Sequence, residues 1–439
     1  MILLLHSLIL TLLFAAGVTQ WWPQNRAATP AIPARAHVIE AEGLRSTSLQ
    51  ALVQTAQRGD TIVVPAGNYD GNLVLDKKLT LLGRGHAVIR GDGKGSTILI
   101  TADSCVFQGF AVERSGRMLV HEDAGILIKS NGNVVAENVL RDVLFGIYLL
   151  NADDNVIAHN LVYGRQDLAL GERGSGIHVW NSHRNRFIGN TITKARDGFY
   201  IQNANHTHIE GNNVYGLRYG VHYMYADSNV FLRNQFYDNV AGAAIMYSKH
   251  IIIRHNRFVR NRGFASFGIL FQDCHDSVAD SNIIADNVAG LFLEASTNNL
   301  FRHNIIAQND VALQMFQNSE SNTFSKNNFI DNLNPLSLVG KRTLTRWHEH
   351  GEGNYWSGYR GYDLDGDGLG DIPMKIQNAF DYLEGRYPNL RLYLYSPAAQ
   401  ALAVAAEAFP IIEINNEADQ YPLMRPVNLQ RIAHLGENL

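Results

Sequence analysis

A six-residue segment ending in asparagine recurs along most of the chain at a nearly constant spacing. Asn-Val-Ile-Ala-His-Asn ends at Asn160 and Asn-Arg-Phe-Ile-Gly-Asn at Asn190, and successive copies lie 22, 30, 22, 22, 22, 26, 22 and 23 residues apart. The closing asparagines are Asn138, Asn160, Asn190, Asn212, Asn234, Asn256, Asn282, Asn304 and Asn327. A fixed period of this size predicts a solenoid, in which each repeat packs on its neighbours.

The segments within each repeat are typical of short strands. Runs such as Gly146-Ile-Tyr-Leu and Gly176-Ile-His-Val alternate β-branched or aromatic residues and are separated by Gly, Asn and Asp. Three such strands per coil predict a right-handed parallel β-helix of the pectin-lyase type over residues 37–336. The asparagines suit tight turns, where they tolerate left-handed φ, and they can bond each other between coils as a ladder.

The N-terminal region predicts export and a cap. The apolar run over residues 2–18 has the size of a signal-peptide core, which predicts a signal peptide over about residues 1–20 and a periplasmic protein, with an uncleaved anchor as the alternative. An amphipathic helix is expected over residues 49–58, where it covers the open edge of the first coil. Cys105 and Cys274 stand nearly eight coils apart, too far for a disulfide, so both are expected to be buried free thiols.

The charge pattern excludes one class of partner. The formal net charge is -4, and no block of Lys or Arg occurs. Because nucleic-acid binding rests on neutralising phosphates with clustered basic residues, we expect no nucleic-acid partner.

Alignment of the glycine-led strands places unusual residues on the outside of the solenoid. Tyr148, His178, Tyr200 and His222 fall in one outward column, and Trp180, Gln202, Met224 and Met246 fall in the next. An outer face this rich in aromatic and apolar side chains is typical of a binding surface.

Four side chains on this face are candidate copper ligands. Met224 and Met246 stack directly, His222 lies two residues from Met224, and His178 lies two coils from His222. Thioether and imidazole form a soft set that suits Cu(I). The alternative is that the methionines are an apolar surface for a protein partner, and the two roles can coexist.

The same columns predict that the protein is not an enzyme. Glu294 and Lys129 are their only acid and base, and they stand far apart, whereas a sugar-cleaving β-helix needs paired acidic groups or their equivalent. The eight extra residues between Asn160 and Asn190 form a loop, over residues 163–175, that either covers this face or is an ordinary surface loop.

An acidic loop follows the repeats. Asp363, Asp365, Asp367 and Asp371 stand at positions 1, 3, 5 and 9 of a calcium-type loop, but position 12 is Met374, so this is not an EF-hand. A structural calcium site and a metal-free turn both remain open. We assign residues 340–395, which include Asn-Tyr-Trp-Ser from Asn354, to a C-terminal cap.

The last segment, residues 396–439, predicts a helix and a docking tail. Ser396 and Pro397 are start signals for a helix that Pro410 stops. The proline-rich ending Tyr-Pro-Leu-Met-Arg-Pro from Tyr421 is expected to be extended and to dock on another protein.

Together these elements resemble the NosD family of nitrous-oxide reductase maturation. The matching features are the export signal, the Gly-Asp-Thr-Ile-Val-Val-Pro-Ala-Gly-Asn-Tyr opening at residues 59–69, the asparagine-punctuated coils, the Asn-Tyr-Trp-Ser and Asp-Gly-Asp-Gly loop, and the Pro-Leu-Met-Arg-Pro ending. The resemblance implies a periplasmic accessory protein that works with a membrane ABC transporter, nitrous-oxide reductase and a copper chaperone in supplying a copper–sulfide centre. Whether copper, sulfur or both pass over the protein stays open at this point. The metal residues rest on the columns alone. The rival hypothesis, from the fold and the aromatic column, is a carbohydrate-binding or carbohydrate-active protein.

Overall fold

The computed structural model describes residues 38–40, 49–264, 266–340, 343–376 and 417–427, with a few single positions between 390 and 405. The predicted signal peptide lies outside these residues. So does most of the predicted C-terminal helix, of which only positions such as 397, 398, 401 and 405 are described, all helical.

The chain winds into a parallel β-helix of about 13 coils with three strands in each coil, as predicted. All strand pairs in the coils are parallel, and each strand pairs with its counterparts one coil before and one coil after. We name the strand columns the first, second and third face, in the order in which the chain passes through them within a coil.

The first face consists of Val38–Glu40, Thr61–Val64, Thr80–Arg90, Val106–Glu113, Val134–Ala136, Val156–Ala158, Arg186–Ile188, His208–Glu210, Val230–Leu232, Ile252–Arg254, Val278–Asp280, Leu300–Arg302 and Thr323–Ser325. The second face comprises Gly67–Asp70, the ends of Thr80–Arg90 and Val106–Glu113, then Val139–Val143, Leu161–Gly164, Thr191–Thr193, Asn213–Tyr215, Gln235–Tyr237, Arg257–Val259, Ile283–Ala285, Ile305–Ala307, Asn328–Ile330 and Tyr355–Trp356. The third face comprises Leu73–Leu75, Ile98–Ile100, Ala124–Ile128, Phe145–Leu150, Ile177–Trp180, Asp197–Gln202, Tyr219–Met224, Ala241–Lys249, Phe267–His275, Ala289–Glu294, Val311–Phe316 and Asn334–Val339.

The recurring asparagines form the predicted ladder in the interior. The Nδ2 atom of Asn212 donates to Asn234 Oδ1 at 2.9 Å, and Asn234 repeats the bond to Asn256 at 2.9 Å. These side chains are fully buried. Each asparagine side chain bonds backbone N–H and C=O groups at the turn that are not paired within the strands. The same residue type therefore repeats in coil after coil.

The left-handed backbone, however, does not fall on the asparagines. It falls on the residue before each of them, including His159, Arg233 and His303 with φ of 55°, 54° and 52°. The prediction that asparagine itself takes this conformation is therefore wrong. The reason is that the asparagine side chain points inward to the ladder, and the preceding residue makes the turn with its side chain outside.

The N-terminal edge of the third face is covered by helix α1 (Leu49–Thr55), as predicted. Leu49 and Val53 are buried against the first coil. Gln50 pairs with the open strand edge, since its Oε1 accepts from the Val74 N–H at 2.7 Å. A side-chain amide thus occupies the place of a missing strand at an edge that could otherwise pair with another chain.

The C-terminal end extends beyond the predicted limit at residue 336. Tyr355–Trp356 pairs with Asn328 and Phe329, and Asn354 continues the asparagine ladder from Asn327 at 2.9 Å. The Asn-Tyr-Trp-Ser segment therefore belongs to the last coil and not to the separate cap that the sequence predicts. Trp356 of this segment continues the aromatic stack of the core, because its ring centroid lies 4.1 Å from that of Phe329.

Two buried carboxylates close this end. Glu417 accepts hydrogen bonds from Thr343 N at 2.9 Å and Trp347 Nε1 at 2.9 Å. Asp419 accepts from Trp356 Nε1 at 3.0 Å and from the backbone of Asn354 at 2.7 Å. Residues 417–427 are consequently part of the structural cap.

This arrangement corrects the expectation of an extended docking tail for residues 421–427. Leu423 forms bridges with Tyr355 and Leu369, and Val427 exchanges two hydrogen bonds with Asn328 at 2.8 and 2.9 Å. These residues dock on their own solenoid, because the carboxylates before them hold the segment against the last coil.

Both cysteines are buried free thiols, as predicted. Burial raises the pKa of the Cys274 thiol to about 12. Cys105 is 1% exposed and Cys274 is 0% exposed.

Candidate functional site

Glycines set the spacing of the third face. A Cβ atom added to Gly220 would lie 2.5 Å from the Gly242 carbonyl oxygen, so only glycine allows the backbones of successive coils to approach this closely. The glycine column therefore fixes the register of the strands that follow it.

The strand register confirms the outward columns inferred from the sequence. One column runs Leu127, Tyr148, His178, Tyr200, His222, Ala244, Leu270 and Phe292. The next runs Leu150, Trp180, Gln202, Met224, Met246, Gln272 and Glu294.

The two candidate histidines are separated by a tyrosine. The His178 ring stacks on Tyr200 with centroids 4.4 Å apart, and Tyr200 packs against His222 with centroids 5.0 Å apart. The Tyr200 ring fills the interval, so His178 and His222 are not neighbours in one coordination shell.

His178 is buried although it points outward from the coil. It is 8% exposed, and Phe145 and Tyr148 pack against its ring. Burial lowers the pKa of His178 to about 3, so the imidazole is neutral near pH 7. Its Nδ1 atom is buried without a hydrogen-bond partner.

His222 belongs to a charged cluster that the sequence columns did not reveal. Its Nδ1 atom lies 3.8 Å from Asp197 Oδ2, and Arg218 binds the same carboxylate at 2.7 and 2.8 Å. Burial by itself would raise the pKa of Asp197, but the His222 imidazole and the guanidinium of Arg218 lower it to about 2. The strand register could have indicated this cluster, because it pairs Asp197 with Tyr219, a neighbour of Arg218 on the strand that carries His222.

The two methionines are side by side and partly exposed. Met224 pairs with Met246 in adjacent strands, and Gln202 and Gln272 bound them along the column. His222 lies in the same strand as Met224 and faces the same side. The structure thus brings His222, Met224 and Met246 onto one accessible surface.

Three loops rise at one corner of this surface, each at the turn that enters the third face. They are residues 114–123, 165–176 and 260–264, and they carry exposed apolar side chains at Val120, Leu170 and Phe264. Phe264 is 99% exposed. Arg117 of the first loop pairs with Asp167 of the second at 2.9 Å.

The charged residues of the second loop hold it in place. Arg173 donates to the carbonyls of Leu168 and Lys194 at 2.9 and 3.1 Å. Arg165 is buried and pairs with Asp142 and Asp167. Glu172 accepts from the backbone of Ala169 at 3.2 Å. Leu168 packs on the cluster around Tyr148, so this loop covers the N-terminal part of the face.

The acidic loop brings together three of its four candidates. Ligand oxygens of Asp363, Asp365 and Asp367 lie within 4.8 Å of one another. Asp371 is not part of this group, and its Oδ2 instead accepts from the Leu364 N–H of the same loop at 2.7 Å. Oxygen ligands of this kind suit Ca²⁺, and the three carboxylates could hold such an ion.

Comparison with known proteins identifies the family. The family model described as periplasmic copper-binding protein (NosD) matches residues 163–361, which include His178, His222, Met224 and Met246. A probable ABC transporter binding protein NosD of Pseudomonas aeruginosa is 39% identical over 376 residues, covering 82% of this chain and 87% of its own length. The chain belongs to the NosD family. A relative with the same description from Stutzerimonas stutzeri is 36% identical over 379 residues, covering 82% of this chain and 86% of its own.

Solved structures share the fold of this NosD-family chain. The A-module of the mannuronan C-5 epimerase AlgE6 of Azotobacter vinelandii superposes with a TM-score of 0.55 at 15% identity, over 68% of this chain and 93% of the module. At that identity the similarity concerns the β-helix alone. Among the residues that the structure describes, no helix has the length and apolar character needed to cross a membrane.

Proposed function

We propose that this protein is a non-enzymatic periplasmic accessory protein that works with a membrane ABC transporter in assembling the copper centre of nitrous-oxide reductase. The observation that carries the proposal is the cluster of His222, Met224 and Met246 on a partly exposed face of a NosD-family β-helix. Two neutral thioethers and an imidazole bind Cu(I) as exchangeable ligands, which suits cargo that must be passed on.

Copper is the cargo in this proposal, and the three side chains bind it at the protein surface. Met224 and Met246 supply sulfur from adjacent coils, and His222 supplies nitrogen from the same strand as Met224. The hydrogen bonds from Arg218 to Asp197 tie the strand that carries His222 to the strand before it. His178 is held behind Tyr200, so a role for it in copper binding requires a separate position on the face.

Protein partners are proposed to bind over the same face. The exposed apolar tips at Val120, Leu170 and Phe264 stand along one corner of it, and exposed apolar side chains of this kind are typical of protein interfaces. The family relatives are named as ABC transporter binding proteins, which supports the transporter as one partner. Nitrous-oxide reductase and a copper chaperone are the proposed receiver and donor.

The two outward columns of the third face contain one carboxylate, Glu294, and this supports a non-enzymatic role. Asp197 is fully buried and paired with Arg218, and Glu294 stands four coils farther on, about 19 Å away at the strand spacing. Carboxylate pairs in glycosidases are separated by about 5–10 Å.

The decisive experiment separates copper binding from apolar recognition by substituting the methionines in two ways. Met224→Leu/Met246→Leu removes the two sulfur atoms and keeps the apolar side-chain volume. Met224→Ala/Met246→Ala removes the sulfur atoms and the apolar volume together. Cu(I) affinity is measured by competition with a chromophoric Cu(I) chelator, and reductase copper content is measured in cells that lack their own NosD-family protein.

We expect the leucine variant to lose Cu(I) affinity at least about tenfold and to lower reductase copper content. Unchanged affinity and unchanged copper content in the leucine variant would remove the copper role. If only the alanine variant fails in cells, the methionines are a recognition surface.

A carbohydrate-binding role is the second candidate, favoured by one observation. Trp180 is 37% exposed on the same face, and Tyr225 and Tyr247 form an exposed stacked pair with centroids 4.9 Å apart at the turn that follows it. Aromatic platforms of this kind suit sugar rings. A screen of purified protein against anionic and neutral glycans tests it, and Trp180→Ala is the matching variant.

A further inference from the structure

A cavity with mostly polar walls lies on the second face, away from the histidines and methionines of the third. Two outward columns run side by side there: Asn213, Gln235 and Arg257 in one, and Tyr215, Tyr237 and Val259 in the other. The cavity measures about 360 Å³, and the side chains that line it are Gln235, Tyr237, Arg257, Val259 and Arg260. A space of this size admits a small organic molecule.

Arg257 brings a positive charge without a counterion to this cavity. Within the described ranges of the chain, no carboxylate pairs with its guanidinium, and the side chain is only partly exposed. Burial and the neighbouring guanidinium of Arg260 lower the pKa of Arg257 below its usual range, yet arginine stays charged in proteins. Partial removal of this charge from water has a cost that a bound anion would offset.

The arginines of the turn that follows are different, because each of them has a carboxylate partner. Arg260 pairs with Asp238 at 2.8 Å, and Arg262 pairs with Asp286 at 2.8 Å. These carboxylates are therefore already engaged. The charge that remains available to a ligand in the cavity is that of Arg257.

The other walls of the cavity indicate which anion fits. Burial raises the pKa of Tyr237, so its hydroxyl group stays protonated and can donate a hydrogen bond, as can the amide of Gln235. Val259 lies two residues from Arg257 in the same strand and supplies an apolar wall. A guanidinium fork beside neutral donors and an apolar wall suits an organic carboxylate, whereas an inorganic anion has no carbon atoms to pack on that wall.

We propose that this cavity binds a small organic carboxylate, which forms a bidentate ion pair with the guanidinium of Arg257. The amide of Gln235 and the hydroxyl group of Tyr237 donate to the same ligand, and Val259 packs against its carbon atoms. The site is independent of the copper role, because it lies on another face of the solenoid and uses none of the copper candidates.

Saturation-transfer NMR on the full chain tests the proposal, with benzoate as the carboxylate probe and benzamide as its uncharged counterpart. We expect saturable binding of benzoate and none of benzamide. Arg257→Gln should weaken benzoate binding at least about tenfold, because it removes the charged hydrogen bonds. Arg257→Lys keeps the charge without the planar fork and should weaken binding about threefold; it also replaces the glutamine variant if that variant fails to fold.

The control is Arg186→Gln, which removes an exposed arginine on the first face and should leave benzoate binding unchanged. Absence of benzoate binding, equal binding of benzamide, or full benzoate affinity in both Arg257 variants overturns the proposal. Competition then identifies the class of ligand at equal ionic strength. Acetate should displace benzoate, and displacement by sulfate to the same extent would make the cavity a general anion site and overturn the carboxylate assignment.

A second competitor separates a free carboxylate from that of a protein partner. The acetylated and amidated tripeptide Ala-Glu-Ala carries one side-chain carboxylate, and we expect it to displace benzoate no better than acetate does, because the cavity admits a small molecule. Displacement at least about tenfold more effective than that by acetate would assign the cavity to an acidic segment of a partner and overturn the proposal.

Discussion

The asparagine ladder and the third-face columns have the same spacing between coils, yet they differ in composition. The ladder keeps one residue type over many coils and is fully buried. The column through His178 and His222 changes from tyrosine to histidine to alanine, and its exposure changes as well.

The difference shows where the solenoid constrains the sequence. An asparagine in the ladder must both donate to and accept from an identical neighbour, so a change in one coil leaves groups unpaired in two others. An outward side chain does not have to hydrogen-bond an identical residue in each adjacent coil, so its residue type is free to vary. We therefore expect ladder substitutions to affect stability most and face substitutions to affect binding most.

Asn234→Ala should have the largest effect on stability. It removes the partner of the Ile209 carbonyl, at 2.9 Å, and of the Asn212 N–H, also at 2.9 Å, both of which are buried. Each unsatisfied group costs about 1–3 kcal/mol, so we expect a loss of roughly 2–5 kcal/mol in the free energy of unfolding by denaturant titration.

The control for this variant is the next residue, since Gln235 is exposed. Gln235→Ala should change stability by less than about 0.5 kcal/mol. Equal effects of the two substitutions would show that the ladder carries no special share of the stability.

Asp197→Asn should have the next largest effect, and this effect should depend on pH. The pKa of Asp197 is lowered from 3.8 to about 2, so the fold favours the charged form. The contribution is fully present above pH 4 and is lost as the pH falls toward 2. From this shift we expect a loss of about 2 kcal/mol at pH 7, with a smaller difference from the native protein at pH 2.

Asp154→Asn is the matched control, because Asp154 also pairs with an arginine but its side chain is 53% exposed, compared with 0% for Asp197. Exposed ion pairs contribute less than about 1 kcal/mol. A pH profile in which the two variants coincide would contradict a buried role for Asp197.

Calcium should have a smaller effect, through the acidic loop. If Asp363, Asp365 and Asp367 hold Ca²⁺, an ion at ten times its Kd stabilises the fold by about 1.4 kcal/mol. Chelation should then lower the Tm of the native protein and of exposed Asp70→Asn, but not that of Asp365→Asn. A Tm that chelation leaves unchanged in all three proteins favours the metal-free turn.

The smallest effect on stability is expected from Met224→Leu/Met246→Leu. The change conserves volume at partly exposed positions, so the free energy of unfolding should change by less than about 1 kcal/mol while Cu(I) affinity falls. A loss of stability as large as that of Asn234→Ala would assign the methionine pair to the structure of the solenoid.

The sequence predicts the coils and the columns well because a constant period transfers one coil's geometry to the next. It therefore places Tyr148, His178 and Tyr200 in one column before any coordinates are known. Burial within that column was not predictable, because it depends on Leu168 in a loop that interrupts the period.

The C-terminal end was predicted less well for a related reason. The contacts of Glu417 and Asp419 join residues more than 60 positions apart, with no repeat to indicate the pairing. The Pro-Leu-Met-Arg-Pro ending has the composition of an extended segment, but composition does not tell whether the surface it binds belongs to the same chain.

The burial of the two thiols has a consequence for metal selectivity. Thiolate sulfur binds Cu(I) more strongly than thioether sulfur does, so an accessible cysteine would retain an ion meant for transfer. The chain has two cysteines, both sealed in the core, and burial raises the pKa of Cys274 to about 12, which keeps it protonated. Under the proposed copper role, an ion at the outer face would meet thioether and imidazole ligands that can release it, and neither buried thiol would compete with its acceptor.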